Sequence, residues 1–405
     1  DWVIGGGVIG AAAAVRLAQA GRQVGLIDPG DEEARASFGN AGQICPELSE
    51  PLASWGVARS AWRRLFMFGG PLDFRWSDVG LWGPWALRYL AACRADRFEA
   101  GTAALAALQT RTVPAWKELL ASIGRPELLL DLPHRGVWES EASLAAGLKG
   151  LAGADLGPAS YRPLDAQETA RLAAIFNGRP KGGALFQGPV KLADPAEAVR
   201  ALHAALAGLG AEMRTGRVDW LQRRDDGVVL HLDGGGKIAA DQVLIAAGAR
   251  SGSLARQAGM TAPLLAERGY HLTYAEHDWP DDQGPLVFED RGVFLTRHTS
   301  GVRMTGFTEI GRPDAPPDPR KWAVLERHVR ELGVPVRGTP SRWMGCRPSL
   351  PDFLPAIGRD GPVLYAFGHQ HIGMTLAAAT AEAVVELAQA NATPERLRAF
   401  RLERF

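Results

Sequence analysis

The sequence predicts an α/β protein, with a nucleotide-binding half on parallel strands and a second half on an antiparallel sheet. Three observations predict it. The first residues read as strand, glycine-rich turn and helix. A buried strand near residue 245 ends in small residues. A second glycine-bearing strand-to-helix turn lies near residue 370.

Asp1-Trp2-Val3-Ile4 reads as a buried strand, and Gly5-Gly6-Gly7-Val8-Ile9-Gly10 fits G-x-G-x-x-G. Ala11 to Ala20 reads as a helix stopped by Gly21. Gly5 permits the tight turn, Gly7 lets a pyrophosphate approach the backbone, and Gly10 lets helix and strand pack closely. The helix N-terminus turns free N–H groups and a partial positive charge toward phosphate. Gln23 to Ile27 reads as the next strand, ending at Asp28. A carboxylate there accepts hydrogen bonds from ribose hydroxyls; the plain alternative is a turn acid before Pro29-Gly30. The stretch predicts a Rossmann-like dinucleotide-binding fold, with NAD and FAD equally open.

The chain has 405 residues, enough for two domains with a large core. Lysine plus arginine equals aspartate plus glutamate, 45 each, which removes a global charge argument for nucleic-acid binding. The three cysteines, Cys45, Cys93 and Cys346, are widely spaced and form no zinc pattern. Their scarcity suits a reducing compartment. No apolar run is long enough to span a bilayer, and the first residues read as a strand rather than a signal peptide.

Residues 31–50 read as a loop returning toward the ligand. Ser37, Asn40 and the Gly39 and Gly42 backbone are candidates to line it; an ordinary surface loop is the alternative. Residues 51–150 crowd Trp55, Trp62, Trp76, Trp82 and Trp85 among Arg59, Arg63, Arg64, Arg75 and Arg88. Helical patterns run through 52–66, 81–94, 97–109 and 111–123. The basic, aromatic stretch 55–68 has the make-up of a membrane-surface helix. Core packing with arginines reaching out to water is the preferred reading.

Residues 143–183 read as a connector with one helix, Asp165 to Phe176, and Ala184 to Gln187 as a strand. Asp194 and Pro195 are an N-cap and first position for a helix to Leu209. Strands follow at 212–215, 217–223, 228–232 and 237–239. Asp241 to Gly248 is a buried strand whose small end, Ala246-Ala247-Gly248, lets backbone approach a ligand. Residues 262–340 alternate as an antiparallel sheet, with strands at 270–274, 286–289, 292–297 and 301–307 and a helix at 318–332. Arg342 to Arg347 and Val363 to Phe367 are strands. Gly368-His369-Gln370-His371-Ile372-Gly373 opens the last helix, from Met374 to about Ala390, and again turns helix N–H groups toward a ligand. The division is 1–50, 184–260 and 341–405 for the nucleotide-binding domain, and 51–183 plus 262–340 for the other.

In order along the chain, the quoted stretches resemble the FAD-dependent D-amino-acid oxidase superfamily, closest to bacterial D-amino-acid and D-hydroxyproline dehydrogenases. The pieces are Val3 to Gly10, Ser37-Phe38-Gly39-Asn40-Ala41-Gly42-Gln43, Ile245-Ala246-Ala247-Gly248 and Glu267-Arg268-Gly269-Tyr270-His271. Gly345-Cys346-Arg347-Pro348 with Pro351-Asp352 and Pro355, and Gly368 through Gly373 to Met374-Thr375, complete them. The resemblance implies an FAD-binding domain, discontinuous in sequence, and an α+β substrate domain.

It further implies non-covalent FAD. Gly5, Gly7, Val8, Ile9 and Gly10 would hold its pyrophosphate and Asp28 its ribose, while Val218 brackets adenine. Ser37, Asn40, Ala41, Gly42, Gln43, Ala247, Gly248, Gly368, His369, His371, Ile372, Gly373 and Met374 complete the cofactor set. Arg347 would pair with the substrate carboxylate, Tyr270 would be a second donor and His271 a pocket wall; a strand-capping arginine, a sheet tyrosine and a satisfied histidine are the plain alternatives. No metal site is implied by His369 and His371. The implied activity is oxidative deamination of D-amino acids, with D-proline and D-hydroxyproline as candidates, by hydride transfer from Cα to flavin N5. Electrons pass to a quinone or other carrier, since no lysine lies between 238 and 320 to activate oxygen. A glycine- or sarcosine-type amine oxidase and a non-catalytic FAD-binding subunit are the alternatives. The implied place is the cytoplasm, with peripheral contact to the inner face of a bacterial inner membrane left open.

Overall fold

The computed structural model describes residues 1–224 and 227–405. Its first layer is a six-stranded sheet in the order Glu212–Thr215, Gly25–Asp28, Trp2–Ile4, Val243–Ile245, Val363–Phe367, Ala356–Asp360. All pairings are parallel except the last, where the edge strand Ala356–Asp360 runs antiparallel. Side-chain size explains how closely the helices sit on it. Ala11 to Ala14 on helix Val8–Gln19 and Ala377 to Ala379 on helix Gly373–Gln389 are buried together in one cluster. With little more than Cβ between the helices, their backbones approach closely.

The other face of this sheet carries a meander, Val218–Arg224, Gly227–Leu232 and Lys237–Ala240, and helix Ser251–Gln257. The expected cap of helix Pro195–Gly208 is present, Asp194 accepting from the Ala196 N–H at 2.9 Å.

The second layer is a nine-stranded mixed sheet. Its path runs Ser341–Ser349, Leu265–Tyr274, Gly301–Gly311, Val293–His298, Leu286–Phe288, Arg135–Trp138, Gly182–Gln187, Ser160–Pro163. Strand Leu72–Phe74 pairs beside Gly301–Gly311. Leu265–Tyr274 is buried along its whole length because both faces are covered. Helix Pro319–Leu332 closes one face around Tyr270, Leu272, Phe307 and Leu325; the other face looks toward the first layer.

Several expectations are corrected. Strands Gly182–Gln187 and Ser341–Ser349 were grouped with the nucleotide-binding half, yet they hydrogen-bond into the nine-stranded sheet. Their hydrophobic runs say "strand" but not which sheet. The two helices expected at 97–109 and 111–123 are one, Ala95–Ser122, passing through Pro114. The connector has a further helix, Glu141–Ala152, capped by Ser140 on the Ser143 N–H and masked in sequence by Gly147 and Gly150. The stretch 52–66 holds only a short helix, Trp55–Ser60, followed by 3-10 turns, because Leu65 is extended. The tryptophans there do not all pack inward: Trp85 is buried, but Trp55, Trp62 and Trp76 stand out into solvent.

Candidate active site

Between the two layers lies a cavity of about 1040 Å³. One end is walled by Asp28 and Val218, the middle by Gly5, Gly7, Val8, Ile9 and residues of the 37–43 loop, and the far end by Gly368 to His371, Gly373 to Thr375 and Arg347.

At the first end Asp28 is nearly buried and already engaged. It accepts from the Gly6 N–H at 2.6 Å, the Gly30 N–H at 2.9 Å and Arg35 Nη2 at 2.7 Å. Burial pushes its carboxyl upward, but the bonds from Arg35, Gly6 and Gly30 together outweigh that and hold it below the usual range. Arg35 lines the cavity and was not anticipated from sequence; a carboxylate beside a cavity and within reach of its own loop was the available signal.

In the middle, Gly5 and Gly10 carry the steric demands that their spacing predicts. Gly5 has φ +110°, and a Cβ on it would lie 2.4 Å from the Ala246 carbonyl oxygen. A Cβ on Gly10 would lie 1.9 Å from the Gly5 carbonyl oxygen, so Gly10 sets helix packing and does not line the cavity. Gly7 caps helix Val8–Gln19 with no side-chain hydrogen bond, leaving first-turn N–H groups for an anion. Ser37 Oγ accepts from the Val8 N–H at 3.3 Å. Asn40 Oδ1 accepts from the Gly42 N–H at 2.7 Å, which fixes the loop. Asn40, Ala41 and Gln43 line the cavity, whereas Gly42, at φ +71°, supports it from behind. Arg303, buried on strand Gly301–Gly311, clamps the same loop by donating to the Phe38 and Asn40 carbonyls at 3.1 and 2.7 Å. Only its inward place in the strand alternation could have flagged it.

Ala247 and Gly248 line the wall as expected, as do Gly368, His369, His371, Gly373 and Met374; Ile372 instead points into the core. His369 donates to or accepts from Thr380 Oγ1 at 3.0 Å. Burial pushes His369 down to about 3 and His371 to about 4, the latter helped by Arg347, so both imidazoles are neutral. Gln370, which sequence reading passed over, holds φ +45° and lines the cavity with both side-chain amide atoms buried and unpartnered. A strained, polar, unsatisfied residue at a cavity wall is what a bound group with matching donors and acceptors would complete. Gln43 Nε2 and His369 Nδ1 are likewise unpartnered. These orphaned atoms, the glycine cradle and two helix N-termini whose N-cap residues make no side-chain bond suit a long cofactor with a diphosphate and a polar heteroaromatic end. Gln370→Ala is expected to weaken FAD binding about 10-fold, as the loss of hydrogen bonds of ~1.4 kcal/mol, without lowering apoprotein stability. Flavin titration and melting of the apoprotein check this.

At the far end the register places Glu267 opposite Arg347, Gly269 opposite Gly345 and His271 opposite Trp343. Arg347 is half-buried, and Nη1 donates to the Phe307 carbonyl at 3.1 Å. A Cβ on Gly269 would lie 2.4 Å from Nη2, so the glycine makes room for the guanidinium. Among the described residues Arg347 has no salt bridge within 4.0 Å. Cys45, Leu48, Phe294 and Thr305 also line the cavity.

Two expected substrate residues are not at the wall. Alternation turns Tyr270 to the opposite face, where its hydroxyl donates to Glu309 at 2.5 Å and accepts from the Asp318 N–H at 3.0 Å. With both bonds made under helix Pro319–Leu332, it cannot reach a carboxylate in the cavity. His271 lies on the right face but behind Trp343, stacked at 4.8 Å, with Nδ1 3.2 Å from the Gly39 carbonyl. It supports the loop and the indole rather than forming the wall.

These buried imidazoles make the fold acid-sensitive. Burial sends His271 down to about 3 and His369 to about 3 from an unfolded value of 6.5. Their contribution is fully present above pH 6.5 and is lost as pH falls toward 3, because the unfolded chain takes up the protons first. Melting temperature is therefore expected to fall from pH 6.5 to pH 4, with a shallower slope in His271→Gln.

The chain is 29% identical to the D-amino-acid oxidase of Bradyrhizobium diazoefficiens over 402 residues, covering 95% of this chain and 94% of that protein. It is 28% identical to the D-amino acid dehydrogenase of Paramagnetospirillum magneticum over 430 residues, covering 100% and 98%. The crystal structure of glycine oxidase from Geobacillus kaustophilus shares the fold, with a TM-score of 0.75 at 19% identity over 100% of this chain and 98% of that one. With the DAO family, described as FAD dependent oxidoreductase, matching residues 2–387, the chain belongs to that family and binds FAD.

Proposed function

We propose that the chain oxidises a D-amino acid at its Cα–N bond, binds FAD non-covalently, and passes the electrons to a quinone or other carrier. One observation carries the reading: Arg347 lines the cavity with Nη1 bound to the Phe307 carbonyl and, among the described residues, no salt bridge within 4.0 Å, beside the buried Glu267 and the neutral His371. A guanidinium fork matches a carboxylate bidentately. Arg347 would orient the substrate so that Cα–H faces the reacting ring, which is catalysis by positioning. The chemistry FAD supplies when bound is acceptance of a hydride. The uncapped first turn of helix Gly373–Gln389 offers N–H groups where negative charge develops. His371 stays neutral beside Arg347, so it neither competes for the carboxylate nor repels the amino group.

The names of both curated relatives support the D configuration. They divide on the acceptor. Among the described residues no lysine lines the cavity; Lys321 is on the far face of the sheet, bound to Asp73. That supports a carrier over oxygen. A preference for D-proline or D-hydroxyproline loses its residue support, since Arg268 and Tyr270 face away from the cavity. The test is an anaerobic screen of flavin bleaching with D- and L-amino acids, both hydroxyproline epimers, glycine and sarcosine. Bleaching by D-amino acids and slow reoxidation in air support the reading. Fast reoxidation with peroxide formed would transfer it to an amine oxidase. No bleaching by any amine would leave a non-catalytic FAD-binding subunit.

A further inference from the structure

The segment 52–93 presents an apolar surface that no other described residue covers. Trp62 is 58% exposed, Met67 74%, Phe68 64%, Trp76 72% and Leu87 70%. Helix Val79–Ala92 is the centre of it. Its inner side buries Trp85, yet Val79, Leu81, Leu87 and Leu90 face solvent, and Arg88 and Tyr89 are its only polar side chains. A helix with so wide an apolar surface is normally enclosed. The surface is continuous: Tyr89 donates to the Leu52 carbonyl at 3.2 Å, and Ala58 packs into the same cluster as Trp82 and Trp85. Gly69, left-handed at φ +88°, turns the chain just after Met67 and Phe68 and leaves both at a projecting tip.

Charge on this segment is one-sided. Its acids are Asp73 and Asp78 alone, and both are engaged inward, by Lys321 and by Arg75 with Arg312. Arg59, Arg63, Arg64 and Arg88 are exposed and, among the described residues, belong to no ion pair. Arg59 and Arg63 lie over the Trp55 and Trp62 rings at 5.9 and 5.2 Å, tryptophan and arginine side by side at the surface.

We propose that this face docks on an anionic lipid bilayer. Indole, phenyl and aliphatic tips enter the headgroup boundary while arginines meet lipid phosphates. A second copy of the chain fits worse. A two-fold interface sets the same patch against itself, which would bring unpaired arginines onto arginines. Among the described residues no helix is long and apolar enough to cross a membrane, so contact is at the surface.

The test uses the FAD-loaded full chain and sedimentation with vesicles of phosphatidylglycerol mixed with phosphatidylcholine, or phosphatidylcholine alone. Binding is expected to the anionic vesicles only, to weaken with salt, and to fall ~10-fold or more when Phe68→Glu and Leu87→Glu are combined. Arg63→Gln with Arg64→Gln should weaken it too, while flavin content stays that of the parent. Absence of vesicle binding by the parent chain overturns the proposal. So does a dimer in sedimentation velocity that Leu87→Glu disperses. The readout is attachment, so it stands whatever amine the site takes, and flavin bleaching in solution is expected to be unchanged in all variants.

Discussion

Arg347→Ala is expected to raise the Michaelis constant for the amino acid by roughly 10²- to 10³-fold, the consequence of truncating one partner of a buried charge pair. Flavin content is expected to stay at the parent level, because in the proposed reading Arg347 meets the substrate carboxylate and not the flavin. Arg347→Lys should lie between, since an ammonium keeps the charge but not the bidentate fork. The alanine variant has a side effect that needs its own control. Glu267, opposite Arg347, is buried, which pushes its carboxyl up, and Arg347 is the charge that offsets this. Pairing Arg347→Ala with Glu267→Gln removes the stranded carboxyl. A Michaelis constant that recovers in the double variant would mean the single one acted through the fold. An unchanged constant in the single variant would remove Arg347 from the site.

The second large effect separates two glycines of one motif. Gly10→Ala places a methyl where the Gly5 carbonyl oxygen lies 1.9 Å away. Backbone must move, and the glycine turn that the proposal gives to the diphosphate moves with it. Overpacking of this kind costs about 1–3 kcal/mol or more, so lower melting temperature and lost FAD are expected together. Gly7→Ala differs. Its Cβ would meet only Ser37 Oγ, at 3.5 Å, an ordinary contact. The apoprotein is expected to melt as the parent does while FAD affinity falls at least ~10-fold, because the methyl stands where the pyrophosphate approaches. Calorimetry on the apoproteins with flavin titration reads both. Equal damage from the two substitutions would refute the division of roles.

The cofactor end was legible because its chemistry is local. Strand, glycines, helix and Asp28 are consecutive in sequence, and each glycine carries a steric demand that spacing alone expresses. The place of Arg347 on the cavity wall was legible through its short arginine-proline context. Tyr270 and His271 were misjudged for one reason. They were read from a string, Arg268 to His271, whereas a strand sends neighbours to opposite faces, and which face meets the cavity depends on the partner strands. Gln370 was hidden because a left-handed glutamine has no composition signal. Arg35 and Arg303 act on backbone carbonyls or a carboxylate from elsewhere in the fold, which no local pattern announces. The exposed tryptophans were misread because indole is as common in cores as at interfaces. Only the solvent side of helix Val79–Ala92 tells the two apart.

The order of the parallel sheet has a consequence for how the protein is made. Trp2–Ile4 pairs with Val243–Ile245, which pairs with Val363–Phe367, and helix Val8–Gln19 packs on helix Gly373–Gln389. The glycine turn therefore waits for Val243–Ile245 before its strand has both neighbours, and for helix Gly373–Gln389 before its own helix is covered. Pairings this distant close slowly and leave early apolar strands exposed in the interval. Flavin is expected to act as a folding ligand only after translation has passed helix Gly373–Gln389. Nascent chains halted before residue 363 should retain no flavin, and chaperone demand should be greatest during that interval.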